Sequence, residues 1–445
     1  MEITGTAQSY HIYHPRSAAQ SGATPLTPGL WQTQLQKLVG ILQGGPEPSP
    51  TPPVAKVEGR DGRVLGEKNF LKADQYPGLH SKRLQDKRTS NPQPLIEGAP
   101  NYRELGEGIH GTAQPTVDGM RRVLEQAGAG PDGEKKAVWT NMREEPVVYI
   151  NGQPFNLRHV KAPFYNQASP GRSAGEVEKM ERDLKQDVLN EARRNGGMIT
   201  LHDEEAGPPP RVVEKQVKIE SVQTVSEVYD QLKAEGYKVD YQRIPVTDMK
   251  KPEDQDIDEL VGALKKADPE AALIFNCHAG QGRTTTAMVL ASLMKRASAG
   301  EEGDLLKDPA VRADIKEQGK HTPSNYREIL RSFKDARKLV QDQDSVDKVV
   351  EKYGDVHDLK KAVGKARQEA HAADTPEEKQ AARERVSDYL ERYHTLVSFE
   401  AYAREQGPDF KLPYSEWKSR NPELEEGLKR VQLALAGRGQ ESQVA

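Results

Sequence analysis

The sequence predicts an α/β protein: a central mixed sheet flanked by helices, followed by a helical C-terminal extension. Three observations point there. Strand-like and helix-like stretches alternate from about residue 65. The apolar strand AALIFN at 271–276 runs into a glycine-containing loop and then an apolar helix, TTAMVLASLMKR. Beyond about residue 330 the pattern becomes nearly all helical and heavily charged. At 445 residues the chain has room for roughly three domains, or one large domain with extensions.

Composition excludes several classes. The chain is 35% hydrophobic and 30% charged, with no uninterrupted apolar run near about 18 residues, so no membrane-spanning helix is expected. Its single cysteine, Cys277, rules out an intramolecular disulfide and a multi-thiolate zinc site. With 64 Lys+Arg against 68 Asp+Glu the net charge is −4, which argues against a globally basic nucleic-acid binder but leaves room for a local anion pocket. No metal or other cofactor is suggested by the residues.

Taken in order, residues 1–64 form a leader rich in Ser, Pro and Gln, with the solvated run GGPEPSPTPP at 44–53. Trp31, Leu35, Leu38 and Leu42 recur at the spacing of one short helix within it. The first residues lack the order of a secretory signal, so no cleaved export signal is expected. Val147-Val148-Tyr149-Ile150, Asn151-Gly152 and Gln153-Pro154-Phe155 read as a β-hairpin. Ser173 with Glu176 and Thr224 with Glu227 are capping boxes opening two helices, which Gly196-Gly197 and Gly236 can end. A strand over Tyr237 to Val246, a loop and a helix through Ile257, Leu260, Val261 and Leu264 precede the strand at 271–276. The expected division is a leader (1–64), a main α/β domain (65–340), a helical extension (341–435) and a disordered tail (436–445). Within the extension, 365–385 lacks large apolar side chains and reads as a solvated helix or mobile connector.

The chemistry concentrates in Cys277-His278-Ala279-Gly280-Gln281-Gly282-Arg283-Thr284. Gly280 and Gly282 let the loop turn backbone N–H groups inward, and the next helix adds its positive N-terminal end, so the loop can cradle a phosphate dianion. The same field favours a thiolate at Cys277, able to attack phosphorus. Arg283 can bind two phosphate oxygens through its planar fork. Thr284 can donate to the cysteine sulfur and ease its departure. Protonation of the leaving alkoxide needs an acid, and Asp248, at the end of the preceding strand, suits the role. Asp254, Asp256 and Asp258 compete nearby. Taken singly, each feature has a plainer reading: a small buried cysteine, an ordinary strand-to-helix turn, a loop aspartate capping its own turn.

These residues resemble the cysteine-dependent protein-tyrosine-phosphatase superfamily, and within it the paladin and cysteine-phytase branch. The likeness extends from NCHAGQGRTTT to NFLKADQYPG at 69–78, GAPNYRELGEGIHGTAQPTVDGMRRVL at 98–124 and NMREEPVVYINGQPFNLR at 141–158. It continues through 224–260 and ends in YLERYHTLVSFEAYAREQ at 389–406 and YSEWKSRNPEL at 414–424. The resemblance implies a protein-tyrosine-phosphatase-like domain over 65–340. It implies Cys277 as nucleophile, Arg283 as phosphate ligand and Asp248 as acid. It also implies inositol hexakisphosphate or a related polyphosphate as substrate, hydrolysed through a phosphocysteine without a cofactor. This chain has Asn276 where many superfamily members place His, and His278 where paladin-like loops tend to carry a neutral residue.

A polyphosphate needs cations beyond Arg283. Lys250 and Lys251, beside the proposed acid, are the first candidates, followed by Arg143 and Arg103; each is equally well read as an ordinary surface charge. The loop residues His278, Ala279, Gly280, Gln281 and Gly282 complete the expected binding set. Two other readings stay open: a phosphotyrosine phosphatase, and a catalytically silent paladin-like scaffold. The leader composition resembles that of type III effectors of plant-associated bacteria, which would place the protein in a host cytoplasm with host partners. A plain cytoplasmic enzyme is the alternative.

Overall fold

The computed structural model describes residues 68–79, 95–104, 108–167, 169–207 and 210–300, and all of 365–424 except 367, 370–371, 374 and 423. The leader helix at Trp31 to Leu42, the three expected domain boundaries and the tail lie outside the described residues.

The strands form two sheets. One has five strands in the order β10 (Val239–Val246), β4 (Ala137–Arg143), β11 (Ala272–Asn276), β3 (Ile109–Thr112) and β2 (Arg103–Glu104). All its pairings are parallel except β2 with β3. β11 lies at its centre and is buried at every position, as expected for an apolar run in a sheet covered on both faces. Because β10 and β11 point the same way, the segments that follow them emerge on one edge, the usual place for a site in parallel sheets.

The second sheet has six strands in the order β8 (Arg211–Lys218), β7 (Met198–Glu205), β1 (Asn69–Ala73), β6 (Gln153–His159), β5 (Val147–Ile150) and β9 (Val222–Thr224). It is antiparallel except for one β1–β7 bridge. β5 and β6 are the expected hairpin, with Asn151 and Gly152 both at positive φ, as a tight primed turn requires. The alternation of strands and helices did not reveal that there are two sheets. β7 and β8 went unread because β8 is polar and largely exposed, with no apolar period to mark it.

Three helices cover these sheets, two of them, at 174–194 and 225–234, opened by the predicted capping boxes. α1 (Val117–Gln126) and α3 (Val225–Ala234) pack with β4, β5 and β10 around Trp139 and Tyr229. α2 (Ala174–Arg194) lays Met180, Leu184 and Val188 on the apolar face of the six-stranded sheet, against Leu71, Phe155 and Leu157. Both capping boxes form, each contributing about 1 kcal/mol to its helix. Gly236 ends α3 at φ +94.

α4 (Asp254–Lys266) and α5 (Gly282–Ser298) cover the far face of the five-stranded sheet. α6 (Pro376–Gln406) and α7 (Tyr414–Ser419) join the same core: Leu396, Phe399, Tyr402 and Trp417 pack in one cluster with Leu290 and Met294 of α5. Residues 376–385 are the first turns of α6, with Ala381 and Ala382 buried, rather than a mobile connector. No helix among the described residues is long and apolar enough to cross a membrane.

Candidate active site

Cys277 follows β11 directly and is 3% exposed. The loop after it is held from outside: Gln114 N donates to the His278 carbonyl at 3.0 Å, and Asn101 Nδ2 to the Ala279 carbonyl at 2.8 Å. In a planar trans peptide the next N–H points opposite to the carbonyl, so these two bonds turn the N–H groups of Ala279 and Gly280 inward. Gly280 sits at φ +68, and a Cβ there would lie 2.4 Å from the Ala113 nitrogen. The loop can take this path only with glycine at that position. Gly282 then opens α5, whose N-terminal end faces the same space.

Arg283 returns from α5 to the loop and is buried. Nη1 donates to the Val246 carbonyl at 2.9 Å and pairs with Glu145 at 3.0 Å, while Nη2 lies 3.1 Å from Asp248 Oδ1. Nε and Nη2 make no protein hydrogen bond. Burial by itself would lower the Arg283 pKa, but the charges of Asp248, Glu145 and Cys277 outweigh it and raise it further. Burial would raise the Glu145 carboxyl, yet Arg283 and Arg143 hold it at about 2. Glu145 is therefore a fixed anion that orients the guanidinium. Asp248 also accepts from Asn166 Nδ2 at 2.8 Å, and Met249, just after it, is in the left-handed region at φ +66. The competing aspartates are occupied on α4. Asp254 pairs with Lys418, Asp256 caps the helix through Glu253 N, and Asp258 accepts from Ser415.

Beneath Cys277 the support is amide rather than imidazole. Asn276 accepts from Trp139 Nε1 at 2.9 Å and donates to Gln114 Oε1 at 3.1 Å; Gln114 in turn donates to Tyr149 Oη at 2.7 Å. None of these groups titrates near neutral pH, so the floor of the loop keeps one charge state.

The six-stranded sheet supplies a second wall. Its polar face carries Lys72 on β1 and Asn156 and Arg158 on β6, opposite the face that packs on α2. Arg158 Nη2 lies 3.2 Å from His278 Nε2, Nη1 donates to Asn166 Oδ1, and Nε has no hydrogen-bond partner. Lys72, 1% exposed, pairs with Glu204 at 2.6 Å and lies over the rings of Tyr76 and Phe164. Burial first, then Arg158, Arg143, Lys72 and Arg283, push the His278 pKa well below its ordinary value. The ring is neutral and carries one N–H. That proton sits either on Nε2, facing the Asp74 carbonyl at 3.2 Å, or on Nδ1, leaving Nε2 to accept from Arg158. His278 therefore brings no positive charge to a substrate.

Other expected site residues have different surroundings. Arg143 is fully buried and paired with Asp74 and Glu145, tying the two sheets together behind the loop. Arg103 is fully buried, with bonds to the Asn101 carbonyl and Thr285 Oγ1 that steady the residue gripping Ala279. Lys250 reaches Asp388 on α6, and Lys251 pairs with Glu253. The Thr284 hydroxyl is buried without a hydrogen-bond partner, so its expected bond to the cysteine sulfur is not made. Lys72, Arg158, Asn166 and Glu145 were missed. A signal existed for Arg158: in QPFNLRH polar residues alternate with apolar ones, which marks one polar face of that strand, whereas NFLKA shows no such alternation around Lys72.

The PTP-like phytase family model, described as inositol hexakisphosphate, matches residues 140–295. Paladin from Gallus gallus is 28% identical over 332 residues, 71% of this chain and 36% of its own length. The tandemly repeated PTP-like phytase from Mitsuokella multacida superposes with a TM-score of 0.50 at 18% identity, covering 83% of this chain and 49% of that one. Over these spans the chain is similar to PTP-like phytases and to paladin. Its fold is that of the Mitsuokella phytase, and it spans about a third of the length of the paladin it matches and about half of the Mitsuokella chain. The effector protein hopD2 of Pseudomonas syringae is 27% identical over 185 residues, 41% of this chain and 36% of its own length.

Proposed function

We propose that the protein is a cysteine-dependent phosphatase acting on inositol polyphosphates. Cys277 thiolate attacks phosphorus, an S–P bond forms, and the P–O bond to the inositol breaks as Asp248 in its acid form protonates the departing oxygen. Asp248 then takes a proton from water, the water oxygen bonds to phosphorus, and the S–P bond breaks to return thiolate and inorganic phosphate. Inward N–H groups, Nε and Nη2 of Arg283, the latter turning from Asp248 to the phosphoryl group, and the α5 end neutralise the phosphoryl oxygens throughout.

The observation that carries the substrate class is the pair of buried cations, Lys72 and Arg158, on the wall beside the loop. A single phosphomonoester is served by the loop itself; further cations at this position suit a ligand with further phosphates. The related Mitsuokella enzyme has been solved in complex with myo-inositol-(1,3,4,5)-tetrakisphosphate, which supports this reading. Tyr76, tilted against His278 at 5.9 Å between ring centroids, favours phosphotyrosine as a second reading, since an aromatic wall suits an aryl ring.

A phosphate-release screen over inositol hexakisphosphate, phosphoinositides and phosphotyrosine peptides decides between them. Release from inositol hexakisphosphate, lost in Cys277→Ser and Arg283→Lys, is expected; undiminished release in Cys277→Ser overturns the mechanism. The likeness to hopD2 supports delivery into a host cell, with residues 2–60 as the address; their deletion should stop delivery and leave phosphate release intact.

A further inference from the structure

We propose that Arg392, on the C-terminal helix α6, is a positioning residue that latches the Asp248 loop to the phosphate loop. Its guanidinium is buried, 1% exposed, and Nη2 donates to the Met249 carbonyl at 2.7 Å and to the Lys250 carbonyl at 3.3 Å, the two residues that follow Asp248. Its other edge lies against the phosphate loop: a Cβ on Gly282 would come within 2.8 Å of Nη1. One group thus touches both loops. The Arg392 Nε and Nη1 have no hydrogen-bond partner.

Two further features fit a latch. Met249 holds a left-handed conformation that a non-glycine residue adopts only when its surroundings impose it, and its carbonyl is the one Arg392 grips most closely. One helical turn earlier on the same face, Asp388 holds Lys250 at 2.7 Å, so α6 engages this loop twice. α6 itself is anchored by the core it shares with α5. The acid is therefore set over the cradle from both sides: Arg283 and Asn166 on its carboxylate, Arg392 on the carbonyls of Met249 and Lys250 that follow it.

The proposal rests on the phosphatase reading for its kinetic test, and a second test does not. Loss of the latch should impair leaving-group protonation and spare the thiolate. In Arg392→Lys and Arg392→Ala, kcat/KM for inositol hexakisphosphate, whose alkoxide needs an acid, should fall roughly tenfold to a hundredfold, whereas p-nitrophenyl phosphate should change less than about threefold. Arg392→Ala combined with Asp248→Asn should be no slower than Asp248→Asn alone. Equal losses on both substrates, additive effects or no effect overturn the proposal. In the absence of any turnover by the unaltered protein, amide hydrogen exchange decides: exchange over residues 248–251 should rise about tenfold or more in Arg392→Lys, and unchanged exchange overturns the latch.

Discussion

Arg283 Nη2 and Asp248 Oδ1 stand 3.1 Å apart, so the residues proposed as phosphate ligand and proton donor already engage each other across the mouth of the loop. In the proposed mechanism a phosphoryl group entering the cradle takes the same face of the guanidinium and leaves the Asp248 carboxyl aimed at the bridging oxygen. Replacing Asp248 by Asn should lower kcat for inositol hexakisphosphate about 10²- to 10⁴-fold and spare p-nitrophenyl phosphate, whose leaving group departs unprotonated. A loss of the same size on both would remove Asp248 from the acid role.

Gly280 is the position where the loop tolerates least. Alanine there meets backbone, at 2.4 Å from Ala113 N and 2.6 Å from the Thr112 carbonyl carbon, as well as the about 1–3 kcal/mol cost of a left-handed non-glycine residue. Binding of orthovanadate, a phosphate mimic, should weaken roughly a hundredfold, because the inward N–H groups shift. Isothermal titration checks this; retained affinity would mean that the cradle does not depend on this path.

The wall of the six-stranded sheet should govern choice of ligand rather than chemistry. Removing Lys72 alone leaves Glu204 as a buried, unpaired anion, so the informative variant is Lys72→Met with Glu204→Gln. With Arg158→Met as a second probe, KM for inositol hexakisphosphate should rise about tenfold or more while p-nitrophenyl phosphate is hydrolysed almost as before. Parallel losses on both substrates would place these residues in folding instead.

His110 sets an acid limit on stability. Burial, then Lys135 and Lys295, lower its pKa from 6.5 to about 4, and Tyr102 Oη lies 3.0 Å from its Nδ1. The unfolded chain takes up a proton below about pH 6.5 and the folded protein does not, so stability is full above that value. It is lost as pH falls from about 6.5 toward about 4, by on the order of 3 kcal/mol. His278 acts in the same direction. Urea unfolding of His110→Gln across this range should show a shallower decline than the parent; an identical slope would locate the acid sensitivity elsewhere.

The loop, the strand leading into it and β10 were legible because their signals are local, whereas β2, β3 and β4 of the same sheet were not read. An unbroken apolar strand, two glycines and Arg283 lie within one short segment, and the hairpin and both capping boxes announce themselves within a few residues each. What stayed hidden depends on partners far along the chain. Arg143 and Arg103 looked like substrate ligands because sequence does not distinguish a guanidinium at the mouth of a pocket from one behind it; their partners, Asp74 and Thr285, lie 69 and 182 positions away. Lys250 seemed free to meet substrate until Asp388, 138 residues on, was found to hold it. Arg158 and Arg392 were passed over for the converse reason, since a charged residue in a hairpin or a charged helix is ordinarily solvated.

The seam between the two sheets has an evolutionary consequence. Cys277, Arg283 and Asp248 ride on the five-stranded sheet, whereas Lys72 and Arg158 ride on the other, joined to the first through Arg143–Asp74 and Gln114–Tyr149. Substitutions confined to β1 and β6 can therefore retune which molecule is recruited while the machinery of bond cleavage is inherited unchanged, so kin sharing the loop can diverge in diet without reinventing their chemistry.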